Sequence, residues 1–166
     1  MKPFPWKCGE CRERAIYPIV LETYTTEMDH DGKTYPISVS NFEVMQCRNC
    51  STIVLDDHAN RRLSDALRSA VGLLQPTEIR SHREKLGLTQ KTLAAHLQIA
   101  EATLSRSETG AQIQQRAMDR FLRVFFLSAE VRSILDALGQ ECTALSDSVA
   151  ASIDARYVQT DASVDS

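Results

Sequence analysis

Apolar and polar residues alternate at residues 35–45, and the segment from Ala15 to Leu55 as a whole is rich in β-branched and aromatic residues, a pattern that predicts β-strands rather than helices. Within it, the run from Asp29 to Lys33 predicts a tight turn, because its Asp-Gly pair favours the positive φ that hairpins need. Pro18 and Pro36 predict positions at a sheet edge, since proline donates no ladder hydrogen bond. Runs of β-branched and aromatic residues predict five strands, at residues 16–21, 23–26, 35–40, 42–45 and 51–55.

Beyond Asp56 the pattern changes to a helical period. Apolar residues spaced by three and one predict a helix that Asp57 caps and that ends before Pro76. Four shorter helical segments are predicted from there to about Leu138. From Gln140 onward large apolar residues are few, so this tail is predicted to lack stable structure. The predicted fold class is α+β, with a β-rich domain followed by an all-α domain.

The predicted elements and the charges divide the chain in a similar way. Residues 1–60 carry six Lys/Arg and nine Asp/Glu, residues 61–132 twelve and seven, and residues 133–166 one and six. A basic middle between acidic ends is typical of a domain that contacts phosphate, although a basic solvated helix surface gives the same count. The predicted segments are a β-rich domain at 1–60, a linker helix at 61–75, a helical domain at 76–138 and an acidic tail at 139–166.

The sequence also indicates where the protein works. No apolar run approaches the ~20 residues that span a bilayer, so no membrane partner is expected. The N-terminus lacks the apolar core of a signal peptide, and the sequence therefore predicts a cytoplasmic protein. In that compartment paired cysteines more often bind metal or do redox work than form structural disulfides.

Two Cys-x-x-Cys pairs bracket the predicted strands. Four thiolates suit one tetrahedral zinc, which would stabilise a domain with few large apolar residues; iron in a rubredoxin-like site and a redox dithiol are the alternatives. Gly9 and Asn49, inside the two turns, are predicted to take the left-handed conformations that such turns often need. Cys142, which has no paired cysteine nearby in the sequence, is predicted to take no part in metal binding. The predicted zinc ligands are Cys8, Cys11, Cys47 and Cys50.

Residues 77–110 show the pattern of a helix-turn-helix, in which Thr89 caps the second helix and the leucines point inward. The outer face of the third helix is predicted to meet base edges, and Arg106 is the side chain best shaped to pair with guanine. An ordinary helical bundle with a charged exterior is the alternative. The predicted DNA contacts are Ala102, Thr103 and Arg106 to bases, with Thr89, Gln90 and Lys91 to phosphates.

This stretch resembles the Cro/C1-type (XRE) helix-turn-helix family. The family's usual opening is matched by Arg83-Glu84-x-Leu86-Gly87-Leu88-Thr89-Gln90-x-x-Leu93-Ala94. Its usual close is matched by Thr103-Leu104-Ser105-Arg106-x-Glu108-x-Gly110. Two positions depart from the family pattern. Gln98 stands in the turn where the family commonly has Gly, at a cost of ~1 kcal/mol if the backbone is left-handed there. Ser107 replaces the usual aromatic residue.

A four-cysteine domain followed by an XRE-type domain resembles the MqsA/YgiT-type antitoxin and regulator family. The resemblance covers roughly residues 5–135 and includes Asp31-Gly32-Lys33 and the Leu74-x-Pro76-x-Glu78-Ile79-Arg80 entry to the second domain. It implies a structural zinc on the paired cysteines, a C-terminal domain that dimerises on palindromic DNA, and in some members an N-terminal domain that neutralises an RNA-cleaving toxin. It also implies that Arg106 reads a base, while Ala102 occupies the place of a base-reading asparagine.

Together these observations predict a sequence-specific transcriptional regulator that binds double-stranded DNA as a homodimer. The alternative is an antitoxin that binds a basic toxin protein and represses its own operon, since the β-rich domain is acidic. No enzyme is expected, because four thiolates close a zinc shell to water. No small-molecule substrate is expected either. The apolar residues of 121–127 are predicted to form the dimer interface or to close the monomer's core.

Overall fold

The computed structural model describes residues 3–139. Its first part is an antiparallel sheet with strand order β1-β2-β3-β4. The bounds are β1 (Trp6–Lys7), β2 (Arg14–His30), β3 (Lys33–Cys47) and β4 (Ile53–Val54). With the helices that follow, this confirms the α+β fold class.

The centre of the sheet is one long hairpin rather than the four shorter strands that the sequence predicts. β2 and β3 pair from Ile16↔Cys47 to His30↔Lys33, with an irregularity opposite Glu22. There Asn41 has a φ of 47°, and asparagine tolerates this left-handed conformation better than most residues. The predicted breaks between strands are therefore a local distortion within continuous strands.

The predicted turn at the tip of the hairpin is confirmed. Asp31 and Gly32 form a two-residue loop between the paired residues His30 and Lys33. Both loop residues have positive φ, 48° for Asp31 and 71° for Gly32. This is the backbone of a type I′ turn, whose twist matches that of the flanking strands.

The outer strands cover little of the hairpin. Within the described residues, β1 pairs with β2 only at Arg14 and Ile16, and β4 pairs with β3 only at Met45 and Gln46. Most of both hairpin edges therefore has no neighbouring strand in this part of the chain. Such edges accept the prolines that the sequence places there, because a proline in an edge strand costs no ladder bond.

Helix α1 (Asp57–Val71) packs on one face of the hairpin. It corresponds to the predicted linker helix but begins earlier. Its N-cap is Asp56 and not Asp57, because Asp56 has the extended backbone of a cap and its Oδ1 accepts a 2.8 Å hydrogen bond from the Ala59 N–H. The buried core between sheet and helix consists of Ile37, Val39, Phe42, Val44, Ala59, Leu63 and Leu67.

Arg68 of α1 is fully buried, which is unusual for a cation. Its guanidinium donates to Asp65 Oδ1 at 2.9 Å and to the carbonyl oxygens of Gly110 and Gln112 at 3.3 and 3.1 Å. Desolvation lowers the pKa of Arg68, and the neighbouring Asp65 carboxylate opposes that shift. These bonds tie α1 to the segment that follows the predicted recognition helix.

The second half of the described chain is helical. Its elements are α2 (Pro76–Lys85), α3 (Gln90–His96), α4 (Glu101–Thr109), α5 (Arg116–Leu127) and a helix α6 at residues 129–139. The structure thus has five helical segments where the sequence predicts four, since Ser128 interrupts the last one. No helix within residues 3–139 is long and apolar enough to cross a membrane.

The chain divides into two compact units. Among the described residues, one comprises 3–80 and 106–120, and the other comprises 81–105 and 121–139. In the second unit most of the side chains predicted to point inward are buried, as are two residues of α5, whereas Leu86 is half-buried. The buried set is Leu93, Ala94, Leu97, Leu104, Leu122 and Phe125.

Candidate functional site

The four paired cysteines converge at one end of the sheet. Cys8 Sγ lies 3.6 Å from Cys50 Sγ, and Cys11 Sγ lies 3.6 Å from Cys47 Sγ. All four sulfur atoms lie within 4.8 Å of one another. Each close pair joins one cysteine of the first turn to one of the second, so the cluster holds together two segments that are far apart in sequence.

The two cysteine turns share one backbone pattern. In each, the backbone carbonyl oxygen of the first cysteine accepts a hydrogen bond from the N–H of the residue four positions later. The distance is 3.1 Å from Arg12 to Cys8 and 2.8 Å from Ser51 to Cys47. The backbone N–H of the first cysteine also donates to the carbonyl oxygen of the residue five positions later, at 2.8 Å to Glu13 and 2.9 Å to Thr52. This repetition directs both sulfur atoms of each turn to the same side.

The prediction for the left-handed residues of these turns is wrong. Neither Gly9 nor Asn49 has a positive φ, whereas Arg12 (64°) and Ser51 (59°) do. These two residues directly follow the second cysteine of each turn. The left-handed residue of each turn therefore lies after the second cysteine and not between the two cysteines. This position allows the Arg12 and Ser51 N–H groups to bond back to Cys8 and Cys47.

The donor set fits a tetrahedral metal ion. Thiolates about 2.3 Å from a zinc ion at tetrahedral angles lie about 3.8 Å apart, close to the 3.6 Å of the two nearest pairs. Cys8 and Cys47 are buried, Cys11 is half-buried and Cys50 is exposed. Within residues 3–139 this is the one group of three or more His, Cys, Asp or Glu side chains placed to hold a metal.

Hydrogen bonds to the sulfur atoms favour the thiolates that a metal needs. The Thr52 hydroxyl, 3.1 Å from Cys50 Sγ, and the Thr52 backbone N–H lower the pKa of Cys50 to about 6. The Asn49 side chain, with the Glu13 backbone N–H, lowers the pKa of Cys11. At Cys47 the Cys50 backbone N–H also lowers the pKa, but burial and the neighbouring thiols outweigh it and raise the pKa to about 11.

Sequence reasoning did not identify Thr52 and Asn49 as supports for the cysteines. Their proximity to the second pair is visible in the sequence, but their hydrogen bonds depend on the fold of the turn. A small apolar cluster of Ile16 and Met45, with Trp6 and Ala15 packed at its margin, supports Cys8 and Cys47 from behind. Such a surrounding shell orients ligands and controls the access of water to a metal site.

The helical half of the described chain contains a helix-turn-helix. Thr89 has extended backbone, and its hydroxyl accepts a 3.0 Å hydrogen bond from the Thr92 N–H, as predicted for the cap of α3. The turn between α3 and α4 contains Gln98 with a φ of 52°. A glutamine thus occupies the left-handed position where Gly is common in Cro/C1-type proteins, and its amide donates to the Ala95 carbonyl at 3.1 Å.

The residues predicted to contact DNA lie on two helices. On α4, Ala102 and Arg106 are exposed and Thr103 is half-buried. Ala102 and Arg106 share one face of the helix, because residues four apart are neighbours on its surface. At the start of α3, Thr89 and Lys91 are exposed and Gln90 is half-buried.

Comparison with known proteins gives a domain family for residues 77–140 and relatives that match part of the chain. Residues 77–140 match the family model of a helix-turn-helix domain. The chain is also 32% identical over 66 residues to a protein of Salmonella typhimurium named "Putative HNH nuclease YajD", and 30% identical over 66 residues to the Escherichia coli K12 protein of that name. These matches cover 40% of this chain and 52% of each relative. The chain thus spans about half the length of the curated relatives it matches.

The structure and the comparisons together define two features. One is a four-cysteine cluster with the spacing of a metal site at one end of a long hairpin. The other is a helix-turn-helix domain, which indicates a DNA-binding regulator.

Proposed function

We propose that the protein is a sequence-specific transcriptional regulator that binds double-stranded DNA as a homodimer. The observation that carries this proposal is the helix-turn-helix match over residues 77–140, on a segment whose α4 exposes Arg106. A recognition helix reads base edges with side chains on its outer face, and an arginine there can pair with the O6 and N7 of guanine.

The base and phosphate contacts divide between the two helices. Arg106 contacts a guanine, and Ala102 and Thr103 contact neighbouring base edges, where Ala102 can pack against a thymine methyl group. Thr89, Gln90 and Lys91 contact phosphates, which position the protein on the duplex without reading its sequence.

Dimerisation uses the apolar side chains that the second unit leaves exposed. Of the apolar residues in 121–127, Leu122 and Phe125 are buried, so they close the monomer's core. Val124 on α5 is 47% exposed and Leu127 is 83% exposed. Together with Ile134 and Leu138 of α6, which are also exposed, they supply the apolar centre that a homodimer interface needs.

The four-cysteine cluster holds a structural zinc ion on Cys8, Cys11, Cys47 and Cys50. A closed shell of four thiolates is the donor set of structural zinc sites, and its formation is coupled to folding. Beyond this cluster, the sheet has one small core against α1. The metal therefore fixes the end of the hairpin that lies away from its turn.

The experiment that tests this function is selection from a random duplex library with the full-length, zinc-loaded protein. An enriched inverted repeat, with half-sites about one helical turn apart, supports the proposal. Enrichment of no sequence over the input library would contradict it.

A second function has support from the sheet. The arrangement of a four-cysteine domain before the helix-turn-helix resembles the MqsA/YgiT-type family, in which some members are antitoxins. The long outer edge of β2 carries exposed Val20, Glu22 and Glu27, with Asp29 near the tip. An edge of this kind can add a strand of a partner protein, and its acidic side chains favour a basic one.

This antitoxin function requires a basic toxin as partner. A neighbouring gene for a small basic ribonuclease-like protein, co-purifying with this chain and released as salt rises, would support it. A neighbouring toxin-like protein that fails to co-purify would leave the regulator as the function.

The name of the matched relatives raises DNA cleavage as a further activity. A metal enclosed by four thiolates has no open ligand position for a reacting water, so the cysteine cluster supplies no cleavage step. We expect no nicking of supercoiled DNA above a metal-free control when the protein is assayed with Mg²⁺ or Zn²⁺. Nicking by the zinc-loaded protein above that control would contradict this expectation.

A further inference from the structure

A cavity of about 470 Å³ opens beside the cysteine cluster, lined by Pro3, Trp6, Lys7 and Arg14. Its volume lies in the range of small-ligand sites. The lining combines an aromatic ring with two cations, and the proposed binding of double-stranded DNA uses none of these residues. This cavity is the feature of the molecule that the regulator function leaves unexplained.

Trp6 is the aromatic residue of the cavity lining, and its ring is stacked on that of Phe4, which lies beside the cavity. The rings of Phe4 and Trp6 lie 4.7 Å apart between centroids with an interplanar angle of 23°. Trp6 packs at the margin of the apolar cluster behind the cysteines, which holds the pair against the metal end of the sheet. Phe4 is 38% exposed, so a flat ligand can extend the stack from its side.

The cationic part lies on the adjoining strands. Lys7 of β1 pairs with Arg14 of β2 in the sheet, and both side chains are exposed. One guanidinium nitrogen of Arg14 donates to the Pro5 carbonyl at 3.1 Å, which directs the group toward the aromatic pair. A guanidinium has five N–H donors, so this bond leaves donor capacity for an anion.

A flat aromatic group next to a phosphate is the chemistry of an unpaired nucleotide. We propose that this cavity, together with the Phe4 ring beside it, binds single-stranded nucleic acid, with one base stacked on the Phe4–Trp6 pair and the adjacent phosphate bound by Lys7 and Arg14. Aromatic platforms with neighbouring cations bind single strands in this way and require little sequence specificity. A duplex fits poorly, because its bases are already stacked on each other.

The electrostatics of this region predict modest, salt-dependent binding. Glu10 and Glu13 lie in the adjoining turn, and a divalent metal on four thiolates adds two negative charges, all of which repel a phosphate. The attraction for the phosphate therefore comes from Lys7 and Arg14 alone. For one phosphate neutralised on a single strand, the slope of log K against log salt concentration is about −0.7.

The test uses Trp6, which is the single tryptophan of the chain. The full-length, metal-loaded protein is titrated with a short oligothymidylate while tryptophan fluorescence is recorded. Quenching is expected, together with tighter binding of the oligonucleotide than of thymidine monophosphate or of a duplex lacking the selected operator. No quenching would overturn the proposal, and equal binding of the monophosphate would show a mononucleotide site instead.

Variants distinguish this cavity from the rest of the molecule. Phe4→Ala is expected to weaken oligothymidylate binding about tenfold, and Lys7→Gln and Arg14→Gln about three- to tenfold each, measured by fluorescence anisotropy of a labelled strand. The matched control is Arg48→Gln. Arg48 stacks on Tyr17, 4.1 Å from the ring centroid, and Tyr17 follows Ile16 on the opposite face of β2.

Two further outcomes decide the proposal independently of the regulator function. Arg106→Ala is expected to bind oligothymidylate like the unmodified protein, even where it no longer binds duplex operator. A polyglutamate peptide is expected to leave Trp6 fluorescence unchanged. The proposal is wrong if Lys7→Gln and Arg14→Gln behave like Arg48→Gln, or if polyglutamate quenches Trp6 as strongly as the oligonucleotide, which would indicate a surface for an acidic protein.

Discussion

The carboxylate of Asp31 accepts a 2.8 Å hydrogen bond from the backbone N–H of Arg116. Asp31 lies in the hairpin turn and Arg116 is the first residue of α5, 85 positions away. The first N–H groups of a helix lack partners within it, and a negative charge there is favoured by the helix dipole. The hairpin therefore caps a helix that follows the helix-turn-helix, and Arg116 also donates to the Tyr35 hydroxyl.

We expect Asp31→Ala to lower the free energy of unfolding by about 1–2 kcal/mol. The substitution removes the cap from α5 and places alanine at a φ of 48°, where asparagine or aspartate is better tolerated. Asp31→Asn keeps an acceptor and the turn conformation, so it should cost less. Urea unfolding followed by circular dichroism measures both. Equal stability of Asp31→Ala and the unmodified protein would show that this contact contributes nothing.

The cysteine cluster predicts one zinc per chain. Cys47→Ser replaces a buried ligand, so we expect it to lose the metal and the cooperative unfolding of the sheet. Thr52→Val removes the hydroxyl beside Cys50 Sγ and should weaken zinc binding about 10- to 100-fold while the fold persists. Cys142→Ser is the control, at a position outside the described residues.

Metal analysis after dialysis against a chelator of graded strength checks these variants. One equivalent of zinc in Cys142→Ser and none in Cys47→Ser is the expected result. If Cys47→Ser keeps its zinc and folds as before, the ion is bound elsewhere. One equivalent of iron in place of zinc would show that the identity of the metal is wrong but would leave the four cysteine ligands as proposed.

Part of this structure could be predicted from the sequence, because its signals are local. The two Cys-x-x-Cys pairs, the Asp31-Gly32 turn and the Thr89 cap each depend on residues a few positions apart, and each lies where it was predicted. The bounds of the strands were less accurate, since the Asn41 irregularity resembles a break in the pattern while the ladder continues past it.

The long-range contacts could not be predicted in this way. Nothing in the sequence pairs Asp31 with Arg116, or buries Arg68 against the carbonyl oxygens of Gly110 and Gln112. In the same way, Leu74 donates its N–H to the buried Asp119 carboxylate at 2.7 Å. Such partners are brought together by the packing of whole elements. Their positions in the sequence carry no periodic signal.

The exposed apolar residues of α5 and α6 predict a dimer. Leu127 is 83% exposed, so Leu127→Glu should leave the monomer's stability within about 0.5 kcal/mol, as most surface substitutions do. A charge without a partner at the centre of an interface should nevertheless dissociate the dimer. Sedimentation velocity measures this, with the exposed Glu130→Gln as the control. A monomeric unmodified protein, free and on DNA, would contradict the dimer.

In the proposed function α4 reads the sequence of duplex DNA, and two substitutions separate base recognition from phosphate binding. Arg106→Lys keeps the charge but loses the two-pronged geometry that pairs with guanine, so base preference at one position per half-site should fall by about 1–3 kcal/mol. Lys91→Ala should weaken binding to every sequence alike and reduce the salt slope by about 1.

The most direct measurement is the affinity of both variants for the selected operator, for operators altered at single positions, and for unrelated duplex, at several salt concentrations. If α4 reads the bases, Arg106→Lys binds operators with any of the four bases at one position per half-site with equal affinity, and its affinity for unrelated duplex is unchanged. If Arg106→Lys discriminates among operators as the unmodified protein does, or if both variants weaken specific and non-specific binding alike, α4 does not read the DNA.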